Sequence, residues 1–422
     1  MPETILIYVP TLSSRIVYAF DLIFKELLGT GYTFTISQFD FILAAGPKIS
    51  YNQRRITKEE FFISCHTLLF EKNIQPQLIH CYSPRNGYKA FFKGNGDTDF
   101  PFDIFAAAFY LLSRYEEYLP HEKDLYGRFP AEDSLAYKEG FLKDPVINIW
   151  AEDFKNMLKK RFPGLDFRLA HFQFTPTYDI DTAYKYLNRG GIAALMAAWK
   201  SKGKDPYDCY EWLDKLHGEF QADPVYFFLV GEGGEYDKNI TPGHPVMQEL
   251  IKASSSKYAT GVHPSWRSNE DNGQLRAEKQ LLEAITGKAV TGSRQHYLKL
   301  EFPVTYQQLV AAGITDDYSM GYSDRNGFRA GICNSFLWYD LSGETATALG
   351  IHPFCFMDTA AFYHLHYSPA QALHELFQLA EVVKKVNGEM ITLFHNESLG
   401  TDRQWKGWRE AYEEFVKTVV KG

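Results

Sequence analysis

The sequence lacks any long apolar run and any dense cluster of basic residues. No stretch of the 422 residues approaches the ~20 consecutive apolar residues that a membrane-spanning helix needs. Lys and Arg total 44 against 52 Asp and Glu, and the net charge of −8 disfavours a nucleic-acid-binding surface. We therefore expect neither membrane insertion nor nucleic-acid binding.

Cysteine is also scarce, and the five cysteines contain no Cys-x-x-Cys pair. Widely spaced cysteines in odd number are typical of reduced thiols rather than of a disulfide framework. The first residues, Met1 to Leu12, show no basic segment followed by a long apolar stretch and a small-residue cleavage site. These features together predict a cytoplasmic protein.

The pattern of apolar and polar residues changes near residues 161–164, whose sequence is Arg-Phe-Pro-Gly. A chain of 422 residues is long enough for two domains. Residues 1–165 mix short strand-like and helical segments, and they predict an N-terminal α/β domain whose role the sequence does not indicate. Residues 166–422 alternate strand-like apolar runs with helical segments, which predicts parallel strands joined by helical crossovers. The expected strands are Phe172–Asp181, Val225–Gly231, Ala259–His263, Val290–His296, Ile351–Met357 and Met390–His395, and one of the expected helices is Pro369–Val386. We predict an α/β protein in which residues 166–422 form a (β/α) barrel.

Each strand-like run of the C-terminal segment is apolar until its end, where a polar side chain appears. The residues at these ends are Asp179, Asp181, His263, Arg294, His296, Asp358 and His395. In a parallel barrel the carboxyl ends of the strands meet on one face, where catalytic groups lie. A single polar residue at a strand end is usually a satisfied structural group. Their recurrence on successive strands favours one shared active site.

Asp179 and Asp181 are the most informative pair. Residues i and i+2 of a strand point to the same side, so the two carboxylates repel each other unless a cation lies between them. A metal removes this conflict, because one carboxylate binds the cation and the other stays free as a general base. The simpler interpretation is an aspartate-rich turn that caps a helix starting near Thr182. His263 and His395, each taken alone, are equally compatible with structural roles.

Four short segments resemble the motifs of the polysaccharide deacetylases, carbohydrate esterase family four. They are Thr177–Asp181 (Thr-Tyr-Asp-Ile-Asp), Gly261–Ser265 (Gly-Val-His-Pro-Ser), Ser293–Leu298 (Ser-Arg-Gln-His-Tyr-Leu) and Leu393–His395 (Leu-Phe-His). Their order and spacing agree with the family over roughly the last three-fifths of the chain. The resemblance implies a distorted (β/α) barrel of about seven strands, preceded here by an unfamiliar N-terminal domain.

The resemblance also implies catalytic roles for individual residues. Asp179 would be the catalytic base, and Arg294 would orient its carboxylate. His395 would be the general acid. Tyr297 would help to shape the site that holds the oxyanion.

One departure from the family pattern concerns the metal. The resemblance makes Asp181 and His263 ligands of a divalent cation, for which zinc is expected. The family usually places a second histidine four residues after the first, where this chain has Arg267. His296, which replaces the usual proline of the third motif, could supply the missing nitrogen. Alternatively the metal has been lost or is bound weakly, because an arginine repels a cation and could hold an anionic group of the substrate.

We predict a metal-dependent hydrolase that removes an acetyl group from a carbohydrate, from an amide or an ester. Tyr297, Arg267, Asp317 and Asp358 are the residues predicted to bind the carbohydrate substrate. The main alternative is a non-catalytic carbohydrate-binding protein with a degenerate deacetylase site. A glycosidase is disfavoured, because carboxyls so close on one strand fall short of the usual separation of at least ~5 Å, unless Asp358 is the partner. The sequence indicates neither the sugar nor the oligomeric state.

Overall fold

The computed structural model describes residues 4–84, 87–187, 204–231 and 234–421. These residues form two sheets of mainly parallel strands connected by helices, so the predicted α/β class is confirmed. No helix within these four ranges is both long enough and apolar enough to span a bilayer.

The N-terminal sheet has four parallel strands in the order β2-β1-β3-β4. Its strands are β1 (Ile5–Tyr8), β2 (Tyr32–Thr35), β3 (Lys48–Asn52) and β4 (Phe61–Ser64). The helices of this part are α1 (Ser14–Phe20), continued by a π-helix over Asp21–Leu27, then α2 (Gln38–Leu43), α3 (Ile104–Leu112), α4 (Leu135–Lys138) and α5 (Val146–Arg161). All residues of α3 are buried, and Asp103 caps it by accepting hydrogen bonds from the first free N–H groups. A helix that is apolar on all sides belongs in the core.

The second sheet has nine strands in the order β10-β11-β9-β8-β7-β6-β5-β13-β12. They are β5 (Gln173–Ile180), β6 (Val225–Phe228), β7 (Ala259–Val262), β8 (Gly292–Ser293), β9 (Asp316–Asp317), β10 (Phe336–Asp340), β11 (Thr345–Ile351), β12 (Phe356–Met357) and β13 (Glu389–His395). Among the described strands of this sheet, only β10 and β11 pair in antiparallel orientation. In the described part of the chain β10 and β12 are the two edge strands of the sheet and do not pair with each other, so the barrel is distorted and open between them.

Helices connect most of the barrel strands. They are α6 (Tyr210–Phe220), α7 (Pro245–Lys257), α8 (Asn272–Thr286), α9 (Val304–Ala311), α10 (Pro369–Lys385) and α11 (Trp408–Lys421). Within the described residues the sheet has nine strands rather than the expected seven, because β9 and β10 lie outside the strand-like runs of the sequence. The single run expected over Ile351–Met357 is the end of β11 followed by β12.

The two sheets share one hydrophobic core cluster, and buried ion pairs join the N-terminal part to the barrel. Arg114 donates to Glu117 Oε1 at 2.8 Å, and Glu117 Oε2 accepts from Arg329 of the barrel at 2.5 Å. All three side chains are buried, and buried charges are tolerated only when paired. α5 ends at Arg161 and β5 begins at Gln173, so the expected boundary falls between them. A division into separately folding domains stays a prediction.

Candidate active site

The carboxyl ends of β5, β7, β8 and β13 surround one cavity of about 280 Å³. Strand pairing sets this arrangement, because His395 lies opposite Asp179 in the β13–β5 pair and Val262 lies opposite Ser293 in the β7–β8 pair. Of the residues predicted from the sequence, the cavity is lined by Asp179, Asp181, His263, His296, Tyr297 and His395. The structure therefore brings together residues from four segments that are far apart in the chain.

Asp181, His263 and His296 form a group of the kind that binds metal ions. Their ligand atoms all lie within 4.8 Å of one another. His263 Nε2 is 3.0 Å from Asp181 Oδ1, and His296 Nε2 is 3.5 Å from Asp181 Oδ2. A carboxylate and two imidazoles are a common donor set for zinc.

Hydrogen bonds on the far side of each ring fix which nitrogen of these two histidines carries a proton. His263 Nδ1 lies 2.5 Å from the carbonyl oxygen of Arg294, which can only accept, so this nitrogen is the donor. His296 Nδ1 likewise donates to Asp237 Oδ1 at 2.9 Å. When the ring is neutral, the Nε2 atom of each histidine is therefore unprotonated, and its lone pair faces Asp181. Such outer partners are what orient histidines that ligate metals.

The charges in this group act strongly on one another. Burial would raise the pKa of Asp181, but His296 and His263 beside it hold that pKa well below its ordinary value. Burial would lower the pKa of His296, but Asp181 and Asp237 raise it, and the net result is about 9. Either a proton or a cation therefore has to compensate the carboxylate at this point.

Asp179 is held by Arg294. The Nη1 of Arg294 donates to Asp179 Oδ1 at 3.0 Å, and its Nε donates to the carbonyl of Tyr318 at 2.9 Å. The guanidinium has no exposed surface, and its Cζ lies 4.6 Å from the ring centroid of Phe227. One oxygen of Asp179 is thus fixed, while Oδ2 faces the histidine group, 3.8 Å from His263 Nε2.

His395 is held by a carboxylate on its other side. Its Nδ1 donates to Asp358 Oδ1 at 2.7 Å, and its Nε2 lies 3.6 Å from Asp181 Oδ2. Burial would lower the pKa of His395, but Asp358 and the nearby carboxylates of Asp181 and Asp179 raise it to about 10. His395 is therefore protonated at neutral pH in the absence of a cation.

Tyr297 has an unusual backbone conformation at the cavity wall. Its φ is 58° and that of Leu298 is 52°, in the left-handed region that costs a non-glycine residue about 1–2 kcal/mol. Within the described ranges the Tyr297 N–H has no acceptor. Its carbonyl accepts a hydrogen bond of 2.7 Å from Nη1 of Arg128. Strained backbone of this kind is frequent at functional sites.

Three of the predicted substrate-binding residues do not line the cavity. Asp317 has no exposed surface and accepts hydrogen bonds of 2.9 Å from the hydroxyls of Ser293 and Ser319. Asp358 is also fully buried, behind His395. The structure thus places both carboxylates away from the cavity, because position at a strand end does not reveal whether a side chain faces the cavity or a neighbouring strand.

Arg267 is the third residue that lies away from the cavity. It is exposed on the 3₁₀ turn Trp266–Asn269, and in the described part of the chain it forms no ion pair with Asp181. The guanidinium of Arg267 therefore does not take the place of a cation beside Asp181.

Several residues of the site were missed from the sequence, and four of them act on the predicted groups or line the cavity beside them. Asp237, which orients His296, lies in the loop between β6 and α7, where no periodicity marks it. Tyr126 and Arg128 line the cavity from the N-terminal part of the chain, in a loop with no catalytic pattern. Glu397 lines it two residues after His395, and burial raises its pKa. Only Glu397 could have been found, from its position beside a predicted strand end.

Comparison with known proteins covers the two parts of the chain unequally. Residues 5–163 match a family of unknown function, DUF7033. No curated protein matches the chain in sequence. Similar solved structures include a protein assigned as a polysaccharide deacetylase from Mycobacterium smegmatis, with 16% identity over 60% of this chain and 84% of that chain, and a TM-score of 0.39.

Two further solved structures come from Bacillus species. The polysaccharide deacetylase from Bacillus cereus has 11% identity over 59% of this chain and 88% of that chain, with a TM-score of 0.31. A CE4 family pseudoenzyme from Bacillus anthracis has 11% identity over 59% of this chain and 60% of that chain, with a TM-score of 0.30.

Proposed function

We propose that this protein is a metal-dependent hydrolase that removes an acetyl group from a carbohydrate. The observation that carries the proposal is the convergence of the Nε2 atoms of His263 and His296 on the carboxylate of Asp181. Beside this group lie a carboxylate fixed by an arginine and a histidine fixed by a second carboxylate. A ligand set, a base and an acid are the parts that metal-assisted hydrolysis requires.

The residues present fit a divalent cation. Asp181 Oδ1 is buried, and no donor of suitable geometry within the described ranges reaches it. Two imidazole lone pairs directed at a carboxylate repel it unless a positive charge lies between them. Zinc suits a set of two histidines and one aspartate, and it would supply Lewis acidity towards the acetyl carbonyl and its attacking water. We propose Asp181, His263 and His296 as its ligands.

The proton-handling roles follow from the hydrogen bonds of Asp179 and His395. Asp179 is proposed to accept a proton from the attacking water at Oδ2, since Arg294 engages Oδ1. His395 is proposed to donate its Nε2 proton to the leaving nitrogen, or to the leaving oxygen of an ester. Asp358 holds Nδ1 of His395 meanwhile and so keeps the ring in place.

The oxyanion is proposed to be held by the N–H of Tyr297. That N–H has no acceptor within the described residues, and Tyr297 lines the same cavity as Asp179. A backbone N–H that points at the position of the developing oxyanion needs no reorganisation when negative charge forms on that oxygen.

The chemistry of the cavity wall suits a sugar. Hydroxyl, amide and carboxyl groups of Gln295, Ser323, Thr359 and Glu397 line it together with the rings of Tyr126 and Tyr363. Polar groups that fix orientation, set among apolar and aromatic surface, are typical of small-molecule sites. The volume of about 280 Å³ is slightly smaller than that of most such sites and favours one sugar unit with its acetyl group.

Two further expectations rest on the sequence features given above. We propose residues 1–165 and 166–422 as the two domains, and the cytoplasm as the location of the protein. A small or precursor sugar rather than an extracellular polymer would suit that location.

A non-catalytic carbohydrate-binding protein is the second candidate. Arg267 at the position of the family's second histidine favours it. The position of Arg267 outside the metal group, with His296 inside it, favours the enzyme instead.

The test is metal titration combined with an acetate-release assay. The protein is titrated with zinc, cobalt and nickel at neutral pH, and bound metal per chain is measured. The same samples are assayed on N-acetylated chito-oligosaccharides and on 4-nitrophenyl acetate, with Asp179→Asn as the matched inactive control. We expect one ion per chain and acetate release that depends on it. Sugar binding without bound metal and without acetate release would support the second candidate.

A further inference from the structure

A short loop of the N-terminal part, residues 124–128, reaches the active-site cavity. We call it the clamp loop. Asp124 closes it on itself: its Oδ1 accepts from the N–H groups of Tyr126 and Arg128 at 2.9 and 2.8 Å. Gly127 adopts a φ of 75°, which allows the tight turn. The loop is therefore held in one shape by its own hydrogen bonds.

Arg128 is fixed at both ends of its guanidinium. Its Nε donates to Asp124 Oδ2 at 2.8 Å, and its Nη2 lies 2.7 Å from the same oxygen. Its Nη1 donates to the carbonyl of Tyr297 at 2.7 Å. The side chain is only 9% exposed. A planar fork of this kind fixes direction as well as distance, which a lysine cannot do.

The clamp loop also holds the ring of Tyr297. The rings of Tyr126 and Tyr297 are stacked with centroids 5.3 Å apart, and the guanidinium carbon of Arg128 lies 4.7 Å from the centroid of Tyr126. The clamp loop, which lies outside the barrel, therefore contacts both the backbone carbonyl and the side chain of Tyr297.

We propose that the clamp loop is part of the oxyanion site, and that Arg128 is a positioning residue that keeps the N–H of Tyr297 directed into the cavity. This inference rests on the proposed function. It gives the N-terminal part of the chain a role in the chemistry, although that part supplies none of the proposed ligands, base or acid.

The physical reason lies in the backbone of Tyr297. A left-handed residue relaxes towards ordinary φ and ψ unless its surroundings hold it, and such a change would rotate the peptide that carries its N–H. The contacts with Arg128 and Tyr126 oppose that rotation. A misplacement of about 1 Å at the reacting groups can lower the rate on the order of 100-fold.

The experiment compares Arg128→Ala and Arg128→Lys with Arg15→Ala in the full chain, loaded with zinc. Arg15 joins the same two parts of the protein through Glu344 at 2.9 Å, but its contacts do not line the cavity. For acetate release from 4-nitrophenyl acetate and N-acetylated chito-oligosaccharides, we expect Arg128→Ala to lower kcat roughly 10- to 100-fold. KM and zinc content of Arg128→Ala should change less than about threefold. The kcat of Arg128→Lys should lie between those of the wild type and Arg128→Ala. Added guanidinium should restore part of the rate of Arg128→Ala and of no other variant.

A readout without substrate separates this inference from the proposed function. Hydrogen exchange of the peptide that spans residues 294–300 should be faster in Arg128→Ala than in the wild type and in Arg15→Ala. If the wild type releases no acetate, the proposed function fails while hydrogen exchange still decides the role of the clamp loop. Unchanged exchange, an equal kcat loss in Arg15→Ala, or a kcat within about threefold of the wild type would overturn the inference.

Discussion

Asp358 holds His395 from two directions. Its Oδ1 accepts from Nδ1 of the ring at 2.7 Å, and its Oδ2 accepts from the backbone N–H of the same residue at 2.7 Å. One fully buried carboxylate thus fixes both the ring and the main chain of His395. An anionic partner also favours the protonated ring, which a general acid needs before it can act.

Replacing Asp358 by Asn should therefore lower the pKa of His395, so that less of the enzyme carries the protonated ring at alkaline pH. The pKa of His395 is raised to about 10 in the absence of a cation, and a bound cation will bring it lower by offsetting Asp181. Activity that needs protonated His395 is present below this pKa and is lost as the pH rises through it. In Asp358→Asn the alkaline limb of the kcat/KM profile should move to lower pH by roughly 1–3 units. An unmoved limb would mean that His395 is not the group that titrates there.

Asp179 and Asp181 should respond differently to the same substitution. Asp179→Asn should lower kcat about 10²- to 10⁴-fold and leave zinc content nearly intact, because it removes a base and no ligand. Asp181→Asn should lower both zinc content and activity, because it removes a ligand. Inductively coupled plasma mass spectrometry on both variants measures the zinc. Equal loss of metal in the two variants would show that the roles have been assigned wrongly.

His296 and Arg267 provide a contrasting pair. His296→Ala should lower zinc affinity by roughly 10- to 100-fold or more, because one of the proposed ligands is lost. Arg267→His should change affinity little, since Arg267 is exposed outside the metal group. Competition with a chromogenic chelator gives both affinities. A strong gain in Arg267→His together with no loss in His296→Ala would place the third ligand at position 267.

Zinc binding should release protons at neutral pH. The pKa of His296 is about 9 without metal, and a histidine must be neutral at the nitrogen that binds zinc. Zinc therefore competes with a proton below pH 9, and its affinity should rise up to about tenfold per pH unit between pH 7 and 9. Calorimetry at pH 7 in two buffers of different ionisation enthalpy measures the protons released. His296→Ala should lose this release, and a wild type without it would contradict the role of His296.

The fold could be predicted where single segments carry enough residues to show a pattern. The runs expected over Phe172–Asp181 and Met390–His395 are β5 and β13, and the helix expected over Pro369–Val386 is α10. β9, with two residues, carries no such pattern, because a strand that short is defined by its neighbours rather than by alternation. The antiparallel pairing of β10 with β11 was missed for a different reason. These two strands follow each other without a helix between them, whereas the prediction assumed that strands and helices alternate.

Motif spacing in the sequence was enough to predict which strand ends lie near one another at the candidate site. Asp179, Asp181, His263 and His395 stand at strand ends, and the structure places them around one cavity. The residues that act on these groups were not predictable, because Asp237 and Arg128 contact them only through the tertiary fold. Asp358 was predicted to touch the substrate, whereas its hydrogen bonds place it behind His395. The position of a residue at a strand end predicts the face of the barrel near which it lies. Its role on that face depends on its tertiary contacts, which the sequence does not show.

The most direct test of the metal centre is a crystal structure of the zinc-loaded protein with anomalous scattering recorded on both sides of the zinc edge. We expect one anomalous peak bound by Asp181 and by the Nε2 atoms of His263 and His296, each nitrogen at about 2.0–2.1 Å from the ion. The Nδ1 atoms of the two histidines should keep their hydrogen bonds to Arg294 and Asp237. A zinc-soaked crystal without a peak at these residues, or with a peak that His296 does not touch, would contradict the proposed centre.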